Sequence, residues 1–565
     1  MIFKATSVVA ASALLLTACA SNDDSNSGKS GSSDSKKSDN RHGSENTVAA
    51  ADYLKLDRDE IKDGGELTTA IGELSAQQNM FHADSTAYTR SIWSWYNPQM
   101  ALFSEDGEYS PNPDYISDVK EEEKDGKTVV TFTIVDEAKF NDDTPIDWRA
   151  FETTWKINNG KDPAYSPNAT DGYDLIESVT KGDTDKQAVV TFESTYPWWQ
   201  GLFNDIAHPA LADPANYGDY IKKVHPEWGA GPYTIESIDF DKGEASFVRN
   251  PKWWGPEGKL DKRSYRYMED QASLNAFKNG EVDATGIASK NRYASIKDMQ
   301  GIKIYTSALP HYGLTVLNGR SEILKDIEVR KAITQAIDRD QLSAIAFQGL
   351  PYEETPPGSL VIYPFQKGYE DNYSKATSFD LEAAKKTLDD AGWAEGADGI
   401  REKDGKKLHL KYVFFGDSDR AKSGATANQK MLRDAGIDLE VESRPGSEFS
   451  ATMTNKDFDI VPMGFSSSDP FGIAYFKQTW YSTSELNKSG TGTPELDKEI
   501  DALQKLPTRD EQIARANEIE VKAFERYGLI PLENGPSMAA PKEGLANYGA
   551  MGFSTLPIEN IGWAK

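Results

Sequence analysis

Cysteine is almost absent from this chain: one thiol, Cys19, stands in 565 residues. With no second cysteine there is no disulfide framework, so stability rests on packing alone. Positive charge is also short, 62 Lys and Arg against 90 Asp and Glu, for a formal net charge of −28. Such a surface repels polyanions before contact, which argues against nucleic acid or anionic lipid headgroups as direct partners. The acidity serves solubility outside the cell. Histidine is scarce, and His42, His82, His208, His225, His311 and His409 are dispersed with no His-Glu-x-x-His pair. No zinc site is therefore legible, and no cofactor is implied. The N-terminal apolar stretch from Val8 to Leu16 is too short to cross a bilayer and remain there.

That stretch, preceded by Lys4, has the pattern of a secretory signal over residues 1–18. It stops at Leu16-Thr17-Ala18-Cys19, which resembles the bacterial lipobox. The resemblance implies that Cys19 is acylated and becomes the mature N-terminus, the alternative being a free cysteine in an ordinary cleaved signal. Each buried methylene adds roughly 0.8 kcal/mol to such anchoring, so two chains hold far better than one. Residues 19–48 read as the acylated cysteine followed by a Ser-, Gly-, Asn- and Asp-rich linker that cannot bury enough surface to fold. Within it Gly28-Lys29-Ser30 matches the end of a phosphate-binding loop, but Asp23 occupies the place of the required glycine.

More than 500 residues remain, enough for two or three domains. Gly65 to Ile71 alternates like a strand after a turn signal, and so do Thr128 to Val135 and Ala188 to Phe192. Asp147 is placed to cap a helix carrying Phe151, Trp155 and Ile157. Two alternating runs between Tyr233 and Val248 flank Asp241-Lys242-Gly243-Glu244, a hairpin whose acidic spacing lacks the closing ligands of a calcium loop. Asp326 can cap a helix bearing Val329, Ala332, Ile333, Ala336 and Ile337 on one face, and a second helix runs from Leu381 to Ala391 before Gly392. Strands at Leu408 to Phe414, Ile437 to Val441 and Phe458 to Met463 alternate with helices, which predicts a parallel α/β sheet. Ligands of such sheets bind beyond the carboxyl ends of the strands, which directs attention to Gly464-Phe465-Ser466-Ser467-Ser468-Asp469-Pro470-Phe471-Gly472.

Several stretches, in order along the chain, resemble signatures of the family 5 extracellular solute-binding proteins, the peptide-binding receptors of ABC importers. They are Gly229-Ala230-Gly231-Pro232-Tyr233, Arg249-Asn250-Pro251-Lys252-Trp253-Trp254-Gly255, Phe277-Lys278-Asn279-Gly280-Glu281-Val282-Asp283, and Ile327-Glu328-Val329-Arg330-Lys331-Ala332-Ile333 through Asp338-Arg339. The resemblance implies an α/β, two-lobed periplasmic-binding-protein-like fold (type II, cluster C-like) with an extra subdomain in lobe one. By its pattern 49–93, 200–315 and 525–565 form lobe I, 94–199 the extra subdomain, and 316–524 lobe II. It further implies a peptide ligand and a permease and ATPase complex as partner, while the lipobox implies attachment by lipid to the extracytoplasmic face of a bacterial cell membrane. The protein is expected to act as a monomer.

In peptide-binding members an acidic residue of the loop after the lobe II strand receives the ligand's amino group. Asp469 matches the second aspartate of the family's Ala-Asp-Tyr-x-Asp-Pro pattern, while serines occupy the place of the first. The other reading of Asp469 is a cap for a helix starting at Pro470. Ser467 and Phe465 share that loop, Asn79, Phe81 and His82 follow the first strand where the family places lobe I contacts, and Trp480 and Tyr481 lie a little beyond. Among the 12 Trp, 25 Tyr and 23 Phe, core packing is the commoner role, so each aromatic here has a core reading beside the pocket one. An enzyme is not expected. Gly464-Phe465-Ser466-Ser467-Ser468 resembles a nucleophile elbow for four positions, but Ser468 replaces the glycine that its sharp turn needs. Metal-chelate capture is a minor option that some family members perform. An oligosaccharide receptor, or a surface adhesin or structural lipoprotein with an empty cleft, are the alternatives to peptide capture.

Overall fold

The computed structural model describes residues 48–416, 418–445, 448–467, 469–484 and 486–565. The leader, Cys19 and the linker up to residue 47 lie outside the described residues, as does Ser468.

A seven-stranded sheet runs in the order Tyr305–Ala308, Pro536–Pro541, Ala284–Gly286, Glu66–Ile71, Lys262–Tyr267, Glu244–Arg249, Tyr233–Asp239. Glu66–Ile71 occupies its centre, parallel to the strands on both sides, and the expected alternation turns Leu67, Thr69 and Ile71 inward. The Tyr233–Asp239 and Glu244–Arg249 hairpin closes through Gly243, whose φ of +69° suits a residue without Cβ. In its turn Lys242 donates its backbone N–H to Asp239 and pairs with it at 2.9 Å.

A five-stranded sheet runs Asp438–Arg444, His409–Phe415, Ile460–Ser466, His311–Leu317, Leu529–Glu533. Its first three strands are parallel and alternate with the helices Asp419–Asp434 and Phe449–Asn455, as the periodicity predicts. The helices Ile327–Ala336 and Leu381–Asp390 pack together on it. Asp326 caps the first by accepting the Glu328 N–H at 3.0 Å, and Gly392, at φ +84°, follows the second. The sheet is mixed rather than parallel throughout, because His311–Leu317 runs antiparallel to both neighbours.

That pairing corrects the expected lobe boundaries, which cut inside the strand at 315/316 and ahead of Leu529–Glu533 at 524/525. Both strands hydrogen-bond in the second sheet, so the chain crosses between Ala308 and His311 and returns between Glu533 and Pro536.

A four-stranded antiparallel sheet, Ile116–Lys124, Lys127–Ile134, Gln187–Phe192, Ile176–Lys181, is hydrogen-bonded to neither. The helix Trp148–Asn158 covers it, begun as expected by Asp147, which accepts the Arg149 N–H at 2.9 Å. Phe132, Phe151, Trp199 and Phe203 fill its core. No helix among the described residues is long and apolar enough to cross a membrane.

Candidate ligand-binding site

The parallel strands His409–Phe415, Asp438–Arg444 and Ile460–Ser466 end at one rim of the second sheet, together with the start of His311–Leu317 and the end of Leu529–Glu533. At that rim the His311 Nδ1 lies 3.3 Å from Ser466 Oγ. Burial, reinforced by the Arg420 charge, pushes the His311 imidazole down to about 4, so it is neutral near pH 7. Arg420 pairs closely with Glu533, whose carboxyl is raised by burial against that opposing charge.

Ser467 donates its N–H to Pro310 O at 3.0 Å, tying the loop to the crossing segment, and its Oγ lies 2.6 Å from the Tyr363 hydroxyl. Tyr363 is stacked between Tyr312 at 4.2 Å and Phe365 at 5.4 Å, and Phe465 packs half-buried on the same lobe's core. Asp469 is 9% exposed. One carboxylate oxygen accepts the Phe471 N–H at 2.8 Å and the other the Tyr475 hydroxyl at 2.5 Å. Burial first, then the Asp469 charge, hold the Tyr475 phenol far above its ordinary range, so it stays a donor.

The opposite wall comes from the segment that leaves the four-stranded sheet. A Cβ placed on Gly201 would lie 3.2 Å from the Phe471 ring and 4.0 Å from an Asp469 carboxylate oxygen, so backbone there approaches the loop closely. Phe471 meets Trp198 at 6.1 Å and Phe103 at 5.9 Å between ring centroids. Asp469 thus stands at the seam where the four-stranded unit meets the second lobe.

The cap reading of Asp469 is corrected. The following turn is a 3-10 helix over Gly472–Tyr475 whose own cap is Phe471, and Asp469 braces it from two residues upstream. Asn79 and Phe81 are corrected too, because first-lobe packing consumes both. Asn79 is fully buried, donating to Tyr217 O at 3.0 Å and accepting the Phe81 N–H at 3.2 Å, while Phe81 packs edge-on against Trp93. Neighbouring His82 accepts the Asp84 N–H. Trp480 is core as well, 3% exposed and edge-on to Phe524, and Tyr481 donates to Asp501 at 3.2 Å on a helix pair. Only Phe465, Ser467 and Asp469 of the expected residues come together. Trp198, Gly201, His311, Tyr363 and Tyr475 were missed; the sole local signal was the aromatic run Tyr196-Pro197-Trp198-Trp199, since four separate segments converge here.

Two sheets joined by crossing segments, with a loop from one lobe facing a wall built from elsewhere, define a two-lobed binding protein. The chain belongs to the bacterial extracellular solute-binding proteins, family 5, whose family model matches residues 110–487. Proteins of this family bind and are not enzymes. It is 30% identical over 522 residues to the oligopeptide-binding protein OppA of Mycobacterium tuberculosis, covering 91% of this chain and 87% of that one. Among solved structures, the periplasmic EDTA-binding protein EppA superposes with a TM-score of 0.81 at 25% identity, over 93% of this chain and 100% of the other. AppA from Bacillus subtilis, in complex with a nonapeptide, superposes with a TM-score of 0.65 at 19% identity, over 89% and 100%.

Proposed function

We propose that this protein captures peptides between its lobes and delivers them to an ABC importer, held by an acylated Cys19 to the outer face of the cell membrane. The observation that carries the reading is the position of Asp469, a buried carboxylate at the seam between lobes, in a chain 30% identical to an oligopeptide-binding protein over most of both lengths. A carboxylate in a desolvated seam suits a peptide's ammonium. The likeness to an EDTA-binding protein supports a second reading, capture of a metal chelate. Refolded protein incubated with a tryptic digest and with Fe(III)–EDTA separates the two. Mass spectrometry of what is retained is expected to find intact peptides with free amino termini. Retention of the chelate alone would overturn the peptide reading.

A further inference from the structure

We propose that Arg509 is the positioning residue of a clasp that holds the two lobes shut over the Asp469 loop. Arg509 opens the second-lobe helix Arg509–Phe524, yet its guanidinium reaches across to the segment leaving the four-stranded sheet. Its Nε donates to Pro197 O at 2.8 Å and a terminal nitrogen donates to Gln200 Oε1. The same planar cation lies 5.1 Å from the Trp198 ring and 4.9 Å from that of Phe471, and so joins the two walls. One turn further along the helix, Gln512 is 2% exposed and accepts the Trp198 Nε1–H at 2.7 Å. Trp198 itself is 5% exposed and packs with the second lobe's core rather than its own.

The covalent links between the sheets run only through the crossings at 309–310 and 534–535, so these contacts are non-covalent and must break when the lobes part. Only an arginine meets all the demands at once: two donors in one plane and a weakly hydrated face for two rings. Burial lowers the Arg509 guanidinium from its ordinary value, opposed by the charges of Glu121 and Glu108. The clasp closes over Asp469, because Phe471, two residues on, is one of its rings. Arg509 therefore sets how long the cleft stays shut, whatever solute it takes.

The test uses the full chain with Cys19→Ser, which removes the sole cysteine, and with Lys161→Cys and Lys430→Cys, both exposed and clear of the clasp, carrying a dye pair. Single-molecule energy transfer without added solute is expected to resolve closed and open populations. Arg509→Ala should lower the closed-to-open ratio by at least about tenfold, the loss expected for two charged hydrogen bonds and two cation–π contacts. Gln512→Met, which removes one acceptor at similar volume, should lower it by a few-fold. Thermal midpoints checked in parallel identify a folding defect, in which case Gln512→Met and Arg509→Lys decide. An unchanged ratio in folded variants would overturn the proposal, as would a parent protein that never visits a closed state.

Discussion

At the scale of single residues, Asp469 carries the sharpest expectation. Asn in its place keeps an oxygen for the Phe471 N–H and turns its amide toward the Tyr475 hydroxyl, which can accept, so the loop should survive with a stability change under about 1 kcal/mol. Pairing with a ligand ammonium cannot survive the exchange. Asp469→Asn should therefore weaken a bound peptide by about 2–5 kcal/mol, the range for losing one member of a desolvated charge pair. Calorimetry on a peptide and its N-acetylated form checks this: acetylation should weaken binding to the parent protein and make little difference to the variant. Equal affinities in all four combinations would remove Asp469 from the site. Position just past a predicted parallel strand directed attention to the loop of Asp469, Ser467 and Phe465, and the match to a family aspartate singled out Asp469. Asn79, Phe81 and Trp480, chosen by their place along the family pattern, are buried in the packing of their lobes, because a residue type says nothing about which way it faces. A buried Asn whose amide serves a carbonyl 138 positions away reads in sequence like a pocket Asn.

At the scale of elements, the returning crossing is braced by one buried carboxylate. Glu354, in the loop after the helix Arg339–Ala346, accepts the Asn534 N–H at 2.8 Å and the Gly535 N–H at 3.1 Å, while Tyr352 donates to it at 2.6 Å. Burial pushes Glu354 up to about 7 despite those donors, and neighbouring Glu533 adds to the rise. A carboxyl with a raised folded value binds its proton more tightly folded than unfolded. Its stabilising share is full below about 4.5, the ordinary value, and is lost as pH rises through about 7. Fully buried Glu520, also raised by burial to about 7, acts in the same window. The thermal midpoint should accordingly fall from pH 5 to pH 8, and Glu354→Gln should flatten part of that fall, leaving the shares of Glu520 and of Glu559, which burial raises to about 8. A slope unchanged by Glu354→Gln would show that the brace does not titrate. The elements themselves were largely legible, since Asp147 and Asp326 announce helices and the Gly243 turn announces a hairpin. The strand His311–Leu317 was not, because it is buried on both faces and shows no alternation, so a boundary fell inside it.

At the scale of the whole molecule, two predictions concern where the protein sits and how it moves. Acyl chains on Cys19 would contribute roughly 0.8 kcal/mol per buried methylene, and a surface of net charge −28 offers anionic lipid no second attraction. Cys19→Ser should therefore release folded protein into the medium with unchanged affinity; a variant that sediments with membranes as fully as the parent would exclude the anchor. Motion follows from the topology. Because the lobes share only two crossings and a non-covalent seam, a solute touching both walls gains contacts in the closed form that it lacks in the open one. Differential affinity of that kind shifts the population, and a factor of about a hundred between states turns an evenly divided ensemble almost wholly closed. Small-angle scattering should then show a smaller radius of gyration with a retained peptide than without. The peptide should be recovered intact after prolonged incubation, as expected of a binding protein. A radius unchanged at saturation would mean that the ligand touches one lobe alone, and cleaved peptide in amounts exceeding the protein would contradict capture without chemistry.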